Sequence, residues 1–225
     1  MVVRLLQGMF NERPPAPRYQ EVWDVGLVVK HIQDGPTTTN LSLKELSKRT
    51  VTLLALCNAN RASEIKALDI RFKRSVGEDV VFTIPGLTKT RRSGPPKEAY
   101  FSVFKEAESL CPVKTLQIYM ERTAPLRMHG DNKVTQLIIS YKKPYKPVKS
   151  GSISRWIKET LADAGVDTEI FKGHSTRAAS TSAAGVKGVS VNDIMATAGW
   201  SRRSTFEKYY HKHITNDFSK AVLQS

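Results

Sequence analysis

The sequence is short of the features that mark several common protein classes. It has only two cysteines, Cys57 and Cys111, too few for a disulfide framework. Residues 1–10 are too short and too polar for a signal peptide, and no apolar run reaches the length of a membrane span. The expectation is therefore a soluble chain in a reducing compartment, with Cys57, at the end of an apolar run, as a buried thiol. Glycine-rich phosphate loops are absent as well: Gly185-Val186-Lys187-Gly188 lacks the rest of a nucleotide-binding motif. Histidine is sparse, and His211-Lys212-His213 is its one close pair. No cysteine or acidic cluster completes a ligand set there, while His31 and His129 read as ordinary exposed side chains. No metal and no cofactor are expected.

Acid is the other shortage. Lys and Arg total 35 against 21 Asp and Glu, a formal charge of +14 on 225 residues. A chain of that length holds one substantial core, or one domain with a short appendage. Such an excess of cations suits a polyanionic partner, because basic clefts attract phosphates and speed encounter. The plain alternative is a solubility surface. Against it, the basic residues are interleaved with helical core patterns and are not collected in a tail.

Turn and cap residues divide the chain. A proline-rich entry, Arg13-Pro14-Pro15-Ala16-Pro17-Arg18, precedes a short helical pattern from Trp23 to Ile32, broken at Asp34-Gly35-Pro36. Ser42 and Glu45 form a capping box, and Leu46, Leu53, Leu54 and Cys57 continue a buried helix to about Leu56. Asn58-Ala59-Asn60 is a turn offering an N-cap, with a short helix expected from Arg61 to Leu68. Residues 80–84 read as a strand and 100–104 as its partner, joined through a loop, 87–97, rich in Lys, Arg, Gly and Pro. Pro112 opens the next helix, where proline costs least. Residues 152–164 predict a helix burying Ile153, Trp156, Ile157 and Leu161, closed by Gly165. A helix of small residues, 174–184, is expected to stop at Gly185, and another runs from a Ser190 cap to Gly199. A last helical stretch carries Phe206, Tyr209 and Tyr210. The fold class is mainly α with one small antiparallel β-sheet.

Three short elements carry chemistry-bearing residues. In His174-Ser175-Thr176-Arg177 the histidine and arginine stand three apart, which on a helix is one face. Arginine offers a planar fork of donors for phosphate, and histidine moves a proton near neutral pH. Taken alone the pair is an ordinary surface feature. Small residues around it allow close backbone approach, and Lys172-Gly173 adds positive charge. In Arg61-Ala62-Ser63-Glu64 the glutamate is placed to hold the guanidinium; taken alone this is a surface ion pair of little worth. Gly199-Trp200 and Tyr209-Tyr210-His211 form the third element, and aromatics at helical spacing are usually core.

Order and spacing make these elements informative together. The sequence resembles the tyrosine recombinase, or phage integrase, family. In that family an Arg-x-x-Glu/Asp motif is followed by a lysine on a β-hairpin, then His-x-x-Arg, then Gly-His/Trp, with the nucleophilic tyrosine nine residues after the His/Trp. Here Trp200 selects Tyr209, and Tyr209-Tyr210-His211 matches the family's Tyr-x-His ending. The likeness covers roughly residue 42 to the C-terminus. A narrower one, to recombinases of DIRS-type retrotransposons, rests on the proline-rich entry with Tyr19 and Trp23-Asp24, on Leu87-Thr88-Lys89-Thr90-Arg91, on Cys111-Pro112-Val113 and on His174 to Ala179. Two departures stand out. Trp200 replaces the commoner histidine, and the N-terminal core-binding domain is reduced to at most its last helix. The division expected is residues 1–40 as remnant and linker, and 41–225 as catalytic domain.

The resemblance implies the tyrosine recombinase, or DNA breaking-rejoining, fold and phosphoryl transfer to Tyr209 without metal or ATP. Arg61 and Arg177 would bind the non-bridging oxygens, and His174 would hydrogen-bond the phosphate or help to remove the tyrosine proton. Lys89 would protonate the leaving 5′-oxygen, with Arg91, Arg92 and Lys97 as the other cations of the same loop. Trp200 would support the pocket, and Glu64 would orient Arg61. The partner implied is double-stranded DNA, engaged by a tetramer, with residues 215–223 a candidate for exchange between neighbours or for packing on their own domain. A mobile element is implied as source, acting in the nucleus if eukaryotic and in the cytoplasm or nucleoid if prokaryotic. Two other functions fit the same residues: a DNA-binding module that no longer cuts, and a type IB topoisomerase, which the retrotransposon-like entry disfavours.

Overall fold

The computed structural model describes residues 12, 21–86, 96–129 and 132–200. Helix α1, Val25–Asp34, starts where the Asp24 carboxylate accepts from the Gly26 amide at 2.8 Å. Helix α2, Leu43–Cys57, starts at the expected capping box: the Glu45 amide donates to Ser42 Oγ at 3.2 Å and the Ser42 amide to Glu45 Oε2 at 2.9 Å. Its length follows from burial on almost every side. Leu46, Val51, Leu53 and Leu54 are buried, and its hydroxyls turn inward onto their own carbonyls, Thr50 on Leu46 and Ser47 on Leu43. Each fully buried aliphatic chain contributes about 1.5–3 kcal/mol, which makes α2 the natural centre of the molecule.

Around it stand a short helix α3, Ala62–Ala67; strands β1, Lys73–Val76, β2, Asp79–Ile84, and β3, Lys97–Phe101; and helix α4, Pro112–Thr123, with proline in its first turn. A two-residue hairpin follows, β4, Met128–His129, with β5, Asn132–Lys133. Helices α5, Ser150–Asp163, α6, Thr176–Val186, and α7, Val191–Ala198, complete the described chain. Helix α2 packs against α4, α5 and α6. The sheet has the order β1-β2-β3, antiparallel throughout, with Val80 opposite Phe101 and Ile84 opposite Lys97. The core is continuous from Trp23, Val28 and Ile32 at the entry, through α2 and the sheet, to Ile153, Trp156, Ile157 and Leu161 of α5. This is the mainly helical architecture with a small antiparallel sheet that the sequence predicts, to which the β4–β5 hairpin is added. Among the described residues no helix is long and apolar enough to cross a membrane.

Several local expectations need correction. The partner strand starts at Lys97, not Tyr100, so Lys97 belongs to the sheet and not to the loop. Strand β1 is an addition: its residues are mostly exposed, so no apolar alternation announces it. Helix α6 runs through Gly185 to Val186, with Lys187 as its C-cap and Gly188 at φ +85°. His174 sits outside that helix, in a 3-10 turn, Gly173–Ser175, so His174 and Arg177 do not share an α-helical face. The N-cap of α3 is Arg61, not Asn60. Cys57 is exposed and Cys111 is the buried cysteine; neighbouring groups nonetheless desolvate the Cys57 thiol and push its pKa to about 11.

The turn before α6 is pressed against α5. A Cβ on Gly173 would lie 2.4 Å from the Ser154 carbonyl oxygen and 2.9 Å from its hydroxyl. Backbone cannot yield as a side chain can, so Gly173→Ala is expected to cost about 1–3 kcal/mol. That corresponds to a melting temperature lower by roughly 2–10 °C for a domain of this size, measurable by thermal unfolding; an unchanged melting temperature would show that the contact is not tight.

Candidate active site

The site grows from one buried carboxylate. Glu64, in the first turn of α3, is only 4% exposed. Its Oε1 accepts from Arg61 Nη1 at 2.9 Å, and its Oε2 accepts from the Arg61 amide at 2.8 Å. The glutamate thus satisfies an orphan amide at the helix start and fixes the guanidinium of the same turn. The surface-pair reading of Arg61 and Glu64 is excluded by this burial. Two further cations reach the same carboxylate from other elements: Lys97 Nζ at 3.1 Å from Oε2, and Arg177 Nη1 at 3.8 Å from Oε2.

Arg177 enters from the first turn of α6 and is almost wholly buried. Its Nη1 donates to the Ala59 carbonyl and its Nη2 to the Ala198 carbonyl. Both acceptors sit at unusual turns. Ala59 has φ +46°, in the left-handed region that non-glycine residues rarely adopt. Ala198 precedes Gly199, whose φ of +69° closes α7 with Trp200 N–H on Met195 C=O and Gly199 N–H on Ala196 C=O. The turn also brings Trp200 beneath Arg177, its ring centroid 4.4 Å from the guanidinium carbon. Trp200 is buried against Ala59, Ile194 and Ala198, so it is a packing residue and a cation–π partner together.

His174 is exposed at the surface end of this cluster. The next residue, Ser175, is buried and holds the turn: its Oγ donates to the Lys172 carbonyl at 2.7 Å and accepts from Trp23 Nε1 at 2.9 Å. Trp23, just before α1, is thereby tied to the His-x-x-Arg turn.

Burial alone would raise the Glu64 pKa, but Lys97, the Arg61 amide, and the guanidinia of Arg177 and Arg61 outweigh it and hold the carboxyl below the ordinary glutamate value. Burial also pulls Lys97 below the ordinary lysine value, against the opposing pull of Glu64 and with the help of Arg177 and Arg61. The described core of the site is therefore one carboxylate among three cations, an arrangement that leaves positive charge to offer an anion. Among the described residues no group of three or more His, Cys, Asp or Glu stands ready to hold a metal ion.

Of the residues singled out by sequence, Arg61, Glu64, Arg177 and Trp200 are brought together, with His174 three residues from Arg177. Lys89, Arg91 and Arg92 lie outside the described residues, as do Tyr209 and Tyr210. Lys97 was legible only as one of several loop cations. The alternation in β3 would have marked it, since Lys97, Ala99 and Phe101 point inward while Glu98 and Tyr100 are exposed. A lysine on the inward face of a strand requires an acid.

The family model for the phage integrase family matches residues 29–215. The chain belongs to that family. No curated protein gives a significant sequence match. Among solved structures, the chain is similar in fold to XerA recombinase, with a TM-score of 0.62 at 15% identity over 96% of this chain and 67% of that one. It is also similar to the XerH site-specific recombinase bound to its difH substrate, with a TM-score of 0.67 at 10% identity over 92% of this chain and 54% of that one. A third is the Tn1549 transposon integrase in complex with transposon right end DNA, with a TM-score of 0.62 at 12% identity over 96% of this chain and 69% of that one. The chain thus spans about half to two thirds of these recombinases.

The lowered Glu64 pKa has a definite sign. A depressed carboxyl stabilises the fold above its unfolded pKa and loses that contribution as pH falls through the folded value. Glu64→Gln is expected to cost about 3 kcal/mol at neutral pH, since it leaves buried cations without their partner. The melting-temperature gap between wild type and Glu64→Gln should then narrow as pH falls below about 4.5, the ordinary value. A gap constant with pH would mean that the carboxylate charge does not hold the site together.

Proposed function

We propose that this chain is the catalytic part of a site-specific DNA recombinase or integrase that works through a 3′-phosphotyrosine intermediate. The observation that carries the proposal is the pair Arg61 and Arg177, drawn from different helices onto one buried carboxylate, with Trp200 stacked beneath Arg177. Membership of the phage integrase family and the fold shared with XerA, XerH and the Tn1549 integrase support it.

In the proposed reaction the Tyr209 oxygen attacks the scissile phosphorus and the bond to the 5′-oxygen breaks. A phenol with a pKa of about 10 is a weak nucleophile at neutral pH. His174 takes or relays its proton, and Lys89 gives one to the departing 5′-oxygen. Lys97 is unsuited to that second task, being buried and bonded to Glu64 and Asn60. Arg61 and Arg177 hold the non-bridging oxygens as charge develops, Trp200 backs the pocket, and Glu64 orients the arginines. The phosphotyrosyl bond keeps the energy of the phosphodiester, so a second 5′-hydroxyl can attack it and rejoin strands without ATP. The partner is double-stranded DNA, for which the charge of +14 is suited. A tetramer on two sites and a mobile element of DIRS type as source complete the reading.

The test is a nicked half-site whose cleaved fragment diffuses away. Wild type and Tyr210→Phe should accumulate a covalent protein–DNA adduct, Tyr209→Phe should form none, and Arg61→Ala should slow the reaction by about 10²–10³. Salt-sensitive DNA binding with no adduct on any site tried would instead identify a binding module that does not cut.

A further inference from the structure

Lys97 is a charged side chain with 8% of its surface exposed, placed inward from the first residue of β3. It touches three parts of the site. Its Nζ donates to Asn60 Oδ1 at 3.3 Å, in the turn before α3. It pairs with Glu64 Oε2 at 3.1 Å. Its stem lies along Gly199, where an added Cβ would stand 3.4 Å from Lys97 Cε. The oxygen it engages is also the one nearest Arg177, which stays at 3.8 Å, beyond hydrogen-bond reach. That oxygen is held by Lys97 and the Arg61 amide together.

We propose that Lys97 is a positioning residue: it occupies the Glu64 carboxylate on the Arg177 side, so that the two guanidinia keep net charge for a phosphate while staying tethered to one anchor. Without Lys97, one negative charge would face two arginines alone. With Lys97 gone, the Oε2 charge would fall on the guanidinia where they stand, and the site would offer one positive charge fewer. The same contact fixes the base of β3, hence one stem of the connection that carries Lys89, against α3 and the Gly199–Trp200 turn. Lys97 itself is engaged by Glu64 Oε2 and Asn60 Oδ1 and makes no phosphate contact in this reading. This inference rests on the phosphate-binding role given to Arg61 and Arg177.

The experiment compares wild type, Lys97→Met, Glu64→Gln and the double variant Lys97→Met/Glu64→Gln on a 30-base-pair duplex of arbitrary sequence. It reads the dependence of log K on log salt concentration, where each phosphate contact contributes a slope of about 0.9. Lys97→Met should lower the magnitude of the slope by about one contact, because Glu64 now neutralises a guanidinium. The double variant should regain it, because the competing carboxylate is gone as well. Glu64→Gln alone should not lower it. Circular dichroism and thermal melting identify variants that fail to fold, and neutral-length methionine keeps the stem packed along Gly199. A slope lowered equally in Lys97→Met and in the double variant would mean that Lys97 contacts phosphate itself, and would overturn the proposal. An unchanged slope in Lys97→Met would overturn it too. Adduct formation by wild type on the nicked half-site decides the recombinase reading separately: loss of the adduct with the slope pattern intact refutes strand transfer and leaves the role of Lys97 standing.

Discussion

One buried carboxylate organises this protein's candidate site. Glu64 receives Arg61 from its own helical turn, Lys97 from the sheet and Arg177 from α6. Three cations so close repel one another, and Lys97 and Arg177 have been taken out of solvent at a cost of several kcal/mol, while Arg61 stays partly exposed. A buried ion network of this kind is a poor way to gain stability, since apolar residues of similar volume often do as well or better. What it achieves is direction. The carboxylate defines where the charges stand, and elements far apart in sequence acquire a common reference point.

The backbone around the cluster is shaped to the same end. Arg177 directs its Nη groups to the carbonyls of Ala59 and Ala198. The first belongs to a residue at positive φ, and the second lies next to one. These bends also bury the small apolar group of Ala59, Ile194, Ala198 and Trp200, separate from the main core. The main core supports the site from behind: α2 packs against α6, and Trp23 holds Ser175. Trp23 is thus part of the site's framework, because a shift of its ring would release the turn that presents His174.

The sequence made the helices legible wherever their ends carried chemistry. Ser42 with Glu45, Pro112, Ser190 and Gly199 all act as caps or first-turn residues as their types require. Burial in α5 followed its 3.6-residue pattern. What stayed hidden had no local signature. Strand β1 is polar and exposed, and forms because β2 offers it a hydrogen-bonding edge. The 3-10 turn holding His174 has its Gly173 fitted against Ser154, a contact between segments far apart in sequence. Arg127 is buried with its guanidinium on the carbonyls of Gln136 and Leu137, although a lone arginine after a proline-containing turn gives no hint of burial. In the site, the motif residues were legible individually, while their convergence on Glu64 was legible only in part. A period of two exposes the inward lysine at 97 once β3 is known to start there.

Trp200 shows why convergence matters more than residue type. An indole carries no proton that titrates near neutral pH, so it cannot replace an imidazole in proton transfer. It can cover one face of a guanidinium, and the 4.4 Å stack on Arg177 does so while the edge is held by backbone carbonyls. A plane fixed on its face and along its edge has little freedom to tilt. In the proposed reaction this transfers the work: the tryptophan improves the placement of the phosphate-binding arginine, and the proton handling falls to His174 and Lys89. The exposure of His174 beside the buried Ser175 and Arg177 agrees with that division, because a proton carrier needs access to solvent and a rigid charge does not.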